Sequence, residues 1–150
     1  MTYYISLGAN LGNREQTLHE ALQQIEQRIG TIPRCSSFFY SEPWGFESEH
    51  GFCNLCCRVE TSLAPLEVLQ ETQAIERALG RTHKSVNGVY SDRTIDIDLI
   101  QAFDDEGKEI ILAISHQQSA ISDEPSLLTL PHPLWKERDF VRIPLAEIQP

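Results

Sequence analysis

Apolar positions along this chain follow two rhythms. A period of two marks Tyr3-Tyr4-Ile5-Ser6-Leu7, Pro33 to Ser41, Phe52 to Thr61 and Arg93 to Ile100 as strands. Between them, Leu18, Leu22, Ile25 and Ile29 recur at helical spacing, as do Val68, Thr72, Ile75 and Leu79. Asn13 with Gln16 three residues later predicts the first helix's N-cap, Pro65 and Glu67 open the second, and Gly30 and Gly80 stop them. The first six elements therefore run β-α-β-β-α-β, the order of a ferredoxin-like unit. The expectation is an α+β fold, a mostly antiparallel sheet flanked by helices, with a C-terminal extension, all in one domain spanning 1–150. Past Phe103 the pattern weakens. It predicts a turn at Asp104 to Lys108, a strand from Glu109 to Ile114 and a polar surface insertion from Ser115 to Ser126. An extended Leu128 to Pro133, a helical turn at Trp135 to Asp139 and a short strand from Phe140 to Pro144 complete the chain.

The strand Arg93-Thr94-Ile95-Asp96-Ile97-Asp98-Leu99-Ile100 carries the sharpest chemistry. Ile95, Ile97 and Leu99 face one way, so Asp96 and Asp98 share the other face with Cα atoms about 6.5–7 Å apart. Paired carboxylates repel unless a cation relieves them, and Mg²⁺ is commonly held by one or two carboxylates plus substrate phosphates. Arg93, always charged and forked, suits phosphate oxygens. A solvated strand face with surface charges is the plain alternative.

Other segments add to the picture. Gly8-Ala9-Asn10-Leu11-Gly12-Asn13 is a glycine-rich strand-to-helix turn without the Lys-Ser/Thr of a phosphate-binding P-loop. Two irregular segments, Glu42 to Gly51 and Arg81 to Asp92, are long enough to serve function. Phe52 and Asn54 share a strand face, where an aromatic beside an amide can stack a flat heterocycle and read its edge; a core Phe with a strand-end Asn is the alternative. Gln73 and Glu76 flank the second helix's apolar stripe and read as surface polarity.

Composition narrows the function. The net charge of −10 excludes a general nucleic-acid binder. Positive charge is uneven: Arg77, Arg81, Lys84 and Arg93 flank the aspartate strand, and Lys136, Arg138 and Arg142 cluster near the end. Local basic clusters on an acidic protein fit a small polyanion, or chance clustering on helix ends. No apolar run approaches a membrane span, and the N-terminus lacks a signal-peptide pattern, so a cytoplasmic protein is expected. Cys53-x-x-Cys56 lies on a strand and its thiols point to opposite faces, so reduced core thiols are expected rather than a metal or redox pair.

The assembled segments resemble the 6-hydroxymethyl-7,8-dihydropterin pyrophosphokinase family from about Tyr4 to Pro144. Arg93-Thr94-Ile95-Asp96-Ile97-Asp98 is similar to that family's R-T-x-D-x-D. Leu7-Gly8-Ala9-Asn10-Leu11-Gly12, Ser41-Glu42-Pro43-Trp44-Gly45, Phe52 with Asn54, Pro131-His132-Pro133 and Arg138-Asp139-Phe140 follow in the family's order. The resemblance implies transfer of the β,γ-diphosphate of ATP to the hydroxymethyl oxygen of the reduced pterin, with release of AMP, in folate biosynthesis. It implies Asp96 and Asp98 as ligands of two Mg²⁺ ions, and Arg81 and Arg93 with them as catalytic residues. Around ATP it implies Gln73, Glu76, Arg81, Lys84, Tyr90, Arg93, Leu99, Thr129, His132 and Arg138. Around the pterin it implies Ser41, Pro43, Trp44, Phe52, Asn54, Asp96 and Phe140, with Phe52 and Phe140 as two walls and Asn54 reading the edge. A monomer is expected, with no nucleic-acid or membrane partner.

This sequence departs from the pattern at Ser41 (commonly Thr), Phe52 (Tyr in some members), Tyr90 (often Trp) and Leu127 (Arg in some). His83 competes with Lys84 for a phosphate contact, and the stretch between Asp98 and Pro131 is long. No dedicated general base stands out; Asp96 is one group that could take the proton. Two rivals remain open. Another Mg²⁺-dependent phosphoryl or nucleotidyl transferase would release ADP or pyrophosphate. A non-catalytic binding module would have no use for paired aspartates.

Overall fold

Strand β1 (Thr2–Ala9) is the axis of the molecule, because it pairs on both sides. The computed structural model describes residues 1–41, 51–80, 95–116 and 126–149. Helix α1 (Arg14–Arg28) follows β1, then β2 (Thr31–Cys35), β3 (Phe39–Ser41), β4 (Phe52–Glu60), helix α2 (Pro65–Ala78) and β5 (Asp96–Phe103). Strands β6 (Leu112–His116) and β7 (Ser126–Leu130), a 3₁₀ turn (Trp135–Glu137) and helix α3 (Asp139–Ile148) complete it. The result is an α+β fold: an antiparallel sheet ordered β2-β4-β1-β5, with β3 also on β4, and a separate β6-β7 pair.

The helices form where the sequence places them. The Asn13 side chain accepts from the Gln16 N–H at 3.1 Å and caps α1. Pro65 needs no N–H partner at the first turn of α2, and the Glu67 carboxylate accepts from the Ala64 N–H. Gly80, at φ +103°, takes a left-handed conformation just beyond α2. Leu18, Ala21 and Ile25 of α1 and Val68 and Ile75 of α2 bury against Tyr3, Ile5, Leu7, Leu55 and Val59, forming the core on one sheet face. On the other face, α3 sets Val141, Leu145 and Ile148 against Tyr4, Cys56 and Ile100. Burial on both faces makes the central strands nearly continuous in apolar residues.

The pairing of β1 with β5 contains a bulge. Ile5 faces Leu99 and Tyr4 faces Gln101, so Ile100 has no partner opposite. Before it, Ile95, Ile97 and Leu99 point into the α1/α2 core; beyond it, Ala102 does. Ile100 itself joins the α3 cluster.

Three expectations are corrected. Pro33 to Ser41 is not one strand but two, β2 and β3. Ser36 breaks it: its hydroxyl accepts from the Cys56 N–H at 2.9 Å, so a side chain takes the place of a ladder carbonyl. Phe140 to Pro144 is helical, within α3. Pro144 ends nothing, and the helix buries Val141, Leu145 and Ile148 at helical spacing. The predicted strand at Glu109 lies later, as β6, and the expected surface insertion begins and ends in paired strands: His116 faces Ser126. The thiols of Cys53 and Cys57 lie in one apolar cluster and that of Cys56 in the other, all fully buried and unbridged, whereas Cys35 is exposed. Burial pushes the Cys56 thiol up to about 12, which leaves it unreactive at neutral pH.

Candidate active site

A row of residues crosses the sheet on the α3 face, where β4 begins and β1 ends. Gly8 of β1 faces Asn54 of β4 on one side and Asp96 of β5 on the other. The next row is Cys56, Ser6 and Asp98. Asp96 and Asp98 thus share a face, both half-buried, while Ile95, Ile97 and Leu99 are buried on the opposite one. Two strand spacings separate Asn54 from Asp96, about 10 Å between backbones. Gly8 lets the Asn54 amide close against β1. A Cβ there would lie 2.8 Å from Asn54 Oδ1 and 3.5 Å from Phe52 Cδ1, so the Phe52 ring leans over the same spot.

Asn54 is held in place. It is 2% exposed, and its Nδ2 donates to the Phe39 carbonyl at 3.0 Å and to Ser41 Oγ at 2.8 Å. Both amide hydrogens are spent within the protein, which turns Oδ1 toward Gly8. Phe140, in the first turn of α3, is half-buried against the Tyr4–Ile100 cluster, with the Arg138 guanidinium 5.7 Å from its ring centre.

The segment after β7 closes on the outer edge of β5. The His132 N–H donates to the Ile100 carbonyl at 2.8 Å, and His132 Nδ1 accepts from the Leu134 N–H at 3.1 Å. Burial, then the Arg138 charge, hold the imidazole below its ordinary pKa, against an opposing pull from Asp96. Arg138 and Asp96 therefore both sit within electrostatic reach of His132. On the same edge, the Ile97 N–H donates to Glu76 Oε2 at 2.9 Å.

The remaining predicted residues fall as follows. Glu76, read from sequence as surface polarity, is buried on α2, and Gln73 lies half-buried one turn earlier. The Leu99 side chain is in the α1/α2 core, away from the carboxylates, so only its backbone faces β5's neighbours. Thr129 is half-exposed on β7, opposite Ala113. Pro43, Trp44, Arg81, Lys84, Tyr90 and Arg93 lie outside the described residues. Gly8 and Ser6 are additions that sequence reasoning did not single out. Their signal is the register of β1, which alternation alone does not fix.

Two hard-oxygen carboxylates, two residues apart on one open face, are a donor set suited to Mg²⁺. Among the described residues, no group of three or more His, Cys, Asp or Glu side chains could hold a metal ion.

Comparison with known proteins gives the class. A model of the 7,8-dihydro-6-hydroxymethylpterin-pyrophosphokinase (HPPK) family matches residues 4–150. The 2-amino-4-hydroxy-6-hydroxymethyldihydropteridine pyrophosphokinase of Porphyromonas gingivalis is 46% identical over 147 residues, covering 98% of this chain and 90% of that protein. That of Bacillus subtilis is 37% identical over 146 residues, covering 97% and 76%. A crystal structure of a Plasmodium falciparum HPPK-DHPS variant superposes with a TM-score of 0.72 at 15% identity, covering 97% of this chain and 40% of that one, a likeness of fold. The chain belongs to the HPPK family. Its activity is pyrophosphoryl transfer to hydroxymethyldihydropterin in folate synthesis.

Proposed function

We propose that the reaction is carried by the cross-sheet row of Asn54, Gly8 and Asp96 together with Asp98, in a single catalytic domain spanning 1–150 that works as a cytoplasmic monomer. The strand order supports a ferredoxin-like reading of the fold once β2 and β3 are counted as one interrupted strand: the last strand of the βαββαβ unit then neighbours the first.

In this reading the pterin lies over Gly8, between Phe52 and Phe140. The missing side chain at Gly8 supports this, because it lets the Asn54 amide and the Phe52 ring sit against the β1 backbone on that face. Asn54 Oδ1, fixed by the two bonds from Nδ2, accepts from the pterin's N–H edge, and Ser41, Pro43 and Trp44 complete that side. Asp96 and Asp98 would hold two Mg²⁺ ions against the ATP phosphates. When bound, they would supply charge neutralisation of the phosphates and activation of the hydroxymethyl oxygen. ATP lies along the outer edge of β5, among Gln73, Glu76, Lys84, Tyr90, Leu99, Thr129, His132 and Arg138. Arg81 and Arg93 offset charge that develops on the phosphates and on departing AMP. The hydroxymethyl oxygen forms its bond to the β-phosphorus as the bond from that phosphorus to the AMP oxygen breaks, and the hydroxyl proton leaves to Asp96 or to water. The protein's contribution is positioning and electrostatics rather than covalent chemistry.

The observation that carries this reading is the shared face of Asn54 and Asp96 on either side of Gly8. A Mg²⁺-dependent assay with ATP and 6-hydroxymethyl-7,8-dihydropterin tests it. AMP and the diphosphorylated pterin are expected in equal amounts; ADP or free pyrophosphate would point to a different transferase.

A further inference from the structure

We infer that Arg14 and Glu15, the first two residues of α1, are positioning residues for the pterin-reading pair Ser41 and Asn54; this rests on the pterin site proposed above. Strand β3 is three residues long, lies at the sheet margin and, among the described residues, pairs only with β4. So short a marginal strand has little of its own to fix it. Yet Ser41 at its end supplies the hydroxyl that accepts from Asn54 Nδ2. Something else must hold that end, and the start of α1 does so from the opposite face.

The contacts converge on both sides of Ser41. Tyr40 Oη donates to Glu15 Oε1 at 3.0 Å. The Arg14 guanidinium stands 5.4 Å from the centre of the Tyr40 ring. Arg14 Nη1 donates to the Gly51 carbonyl at 2.9 Å, one residue before β4. Arg14 and Glu15 also face each other at 3.9 Å. Gly51 fits between the two strands' ends closely: a Cβ there would lie 3.2 Å from the Ser41 carbonyl oxygen and 3.9 Å from Arg14 Nη1. Two adjacent helix residues thus grip Tyr40, just before Ser41, and Gly51, just before Phe52.

The grip has a firm foundation. Leu18, Ala21 and Ile25 anchor α1 in the core, and Asn13 caps it directly before Arg14. Neither polar partner changes charge near neutrality. Its own backbone N–H and the Tyr40 hydroxyl hold the Glu15 carboxyl below its ordinary value, and the bond to Glu15 pushes Tyr40 up to about 12. Tyr40 is 55% exposed, so its ring is placed by these polar contacts rather than by core packing. Tyr40 lies on the face away from Ser41 and Asn54, so loss of the grip should loosen pterin recognition without touching the carboxylates.

Steady-state kinetics test this. Tyr40→Phe, Glu15→Ala and Arg14→Ala should each raise the KM for the pterin about five- to tenfold, the scale of losing one or two such bonds. The KM for ATP, kcat and the thermal unfolding midpoint should stay near wild type. Glu15→Gln keeps an acceptor and should restore pterin KM. Tyr40→Phe combined with Glu15→Ala should be no worse than either alone, because both remove one bond. Unchanged pterin KM, or equal rises for pterin and ATP, would overturn the inference. Asn54→Ala and Phe52→Ala separate the two levels. If they raise pterin KM while the α1 variants do not, only the positioning role fails. If they too leave it unchanged, the pterin site itself is misplaced.

Discussion

The Ile97 N–H donates to the Glu76 carboxylate at 2.9 Å, midway between Asp96 and Asp98 along β5. Among the described residues β5 is a sheet margin, and on that side a helix side chain supplies this N–H with its acceptor. Glu76 is 7% exposed. Replacing it by Ala should cost about 1–3 kcal/mol, the penalty for stranding a buried donor, while Glu76→Gln should recover most of it. Urea unfolding measures both. An unchanged midpoint for Glu76→Ala would show that the bond contributes nothing to holding the strand.

Asp98 sits beside Ser6 on the half-buried face. Asp98→Ala should lower AMP release by at least about 10²-fold, as removal of a preorganised charged group does. Turnover at the wild-type rate would remove Asp98 from the mechanism.

Gly8 is required by space rather than by backbone angle. A methyl group there would press Asn54 Oδ1 at 2.8 Å, and Asn54 cannot swing aside without breaking its bonds to Phe39 and Ser41. Gly8→Ala should therefore raise the pterin KM about tenfold, equivalent to roughly 1.4 kcal/mol, with the KM for ATP less affected. Equal changes in both would argue for general disruption of β1.

His132 sets a pH dependence. Its folded pKa is lowered by burial and Arg138, so the folded state resists the proton that the unfolded chain accepts near about 6.5. The neutral ring is also the form whose Nδ1 can accept from Leu134. Stability from this group is thus complete above the unfolded value and declines as pH falls below it. Between about pH 7.5 and pH 5.5, wild type should lose more stability in urea unfolding than His132→Asn does. Equal losses would assign the pH effect to other groups.

Much of this was legible in the residues themselves. Alternation across Ile95, Ile97 and Leu99 put the two aspartates on one face, and the Asn13 and Gly80 signals bounded their helices. Legibility failed where side chains act in place of backbone. Ser36 imitates a ladder carbonyl, which no periodicity records. Phe140 to Pro144 read as a short strand, although Val141, Leu145 and Ile148 already held the helical spacing that the structure uses. The register of each strand against its neighbour was not readable. Gly8 became part of the candidate site only when its register placed it between Asn54 and Asp96.

The unopposed Ile100 makes the spacing of β5 unequal in its tolerance to length changes. Losing that one residue would leave every recorded rung with β1 available, from Thr2–Phe103 to Gly8–Asp96, at the expense of apolar contact with α3. Losing a residue between Asp96 and Leu99 would instead throw the acidic end out of step with Ser6 and Gly8. A change of length at Ile100 can therefore be absorbed while the carboxylate end stays in phase.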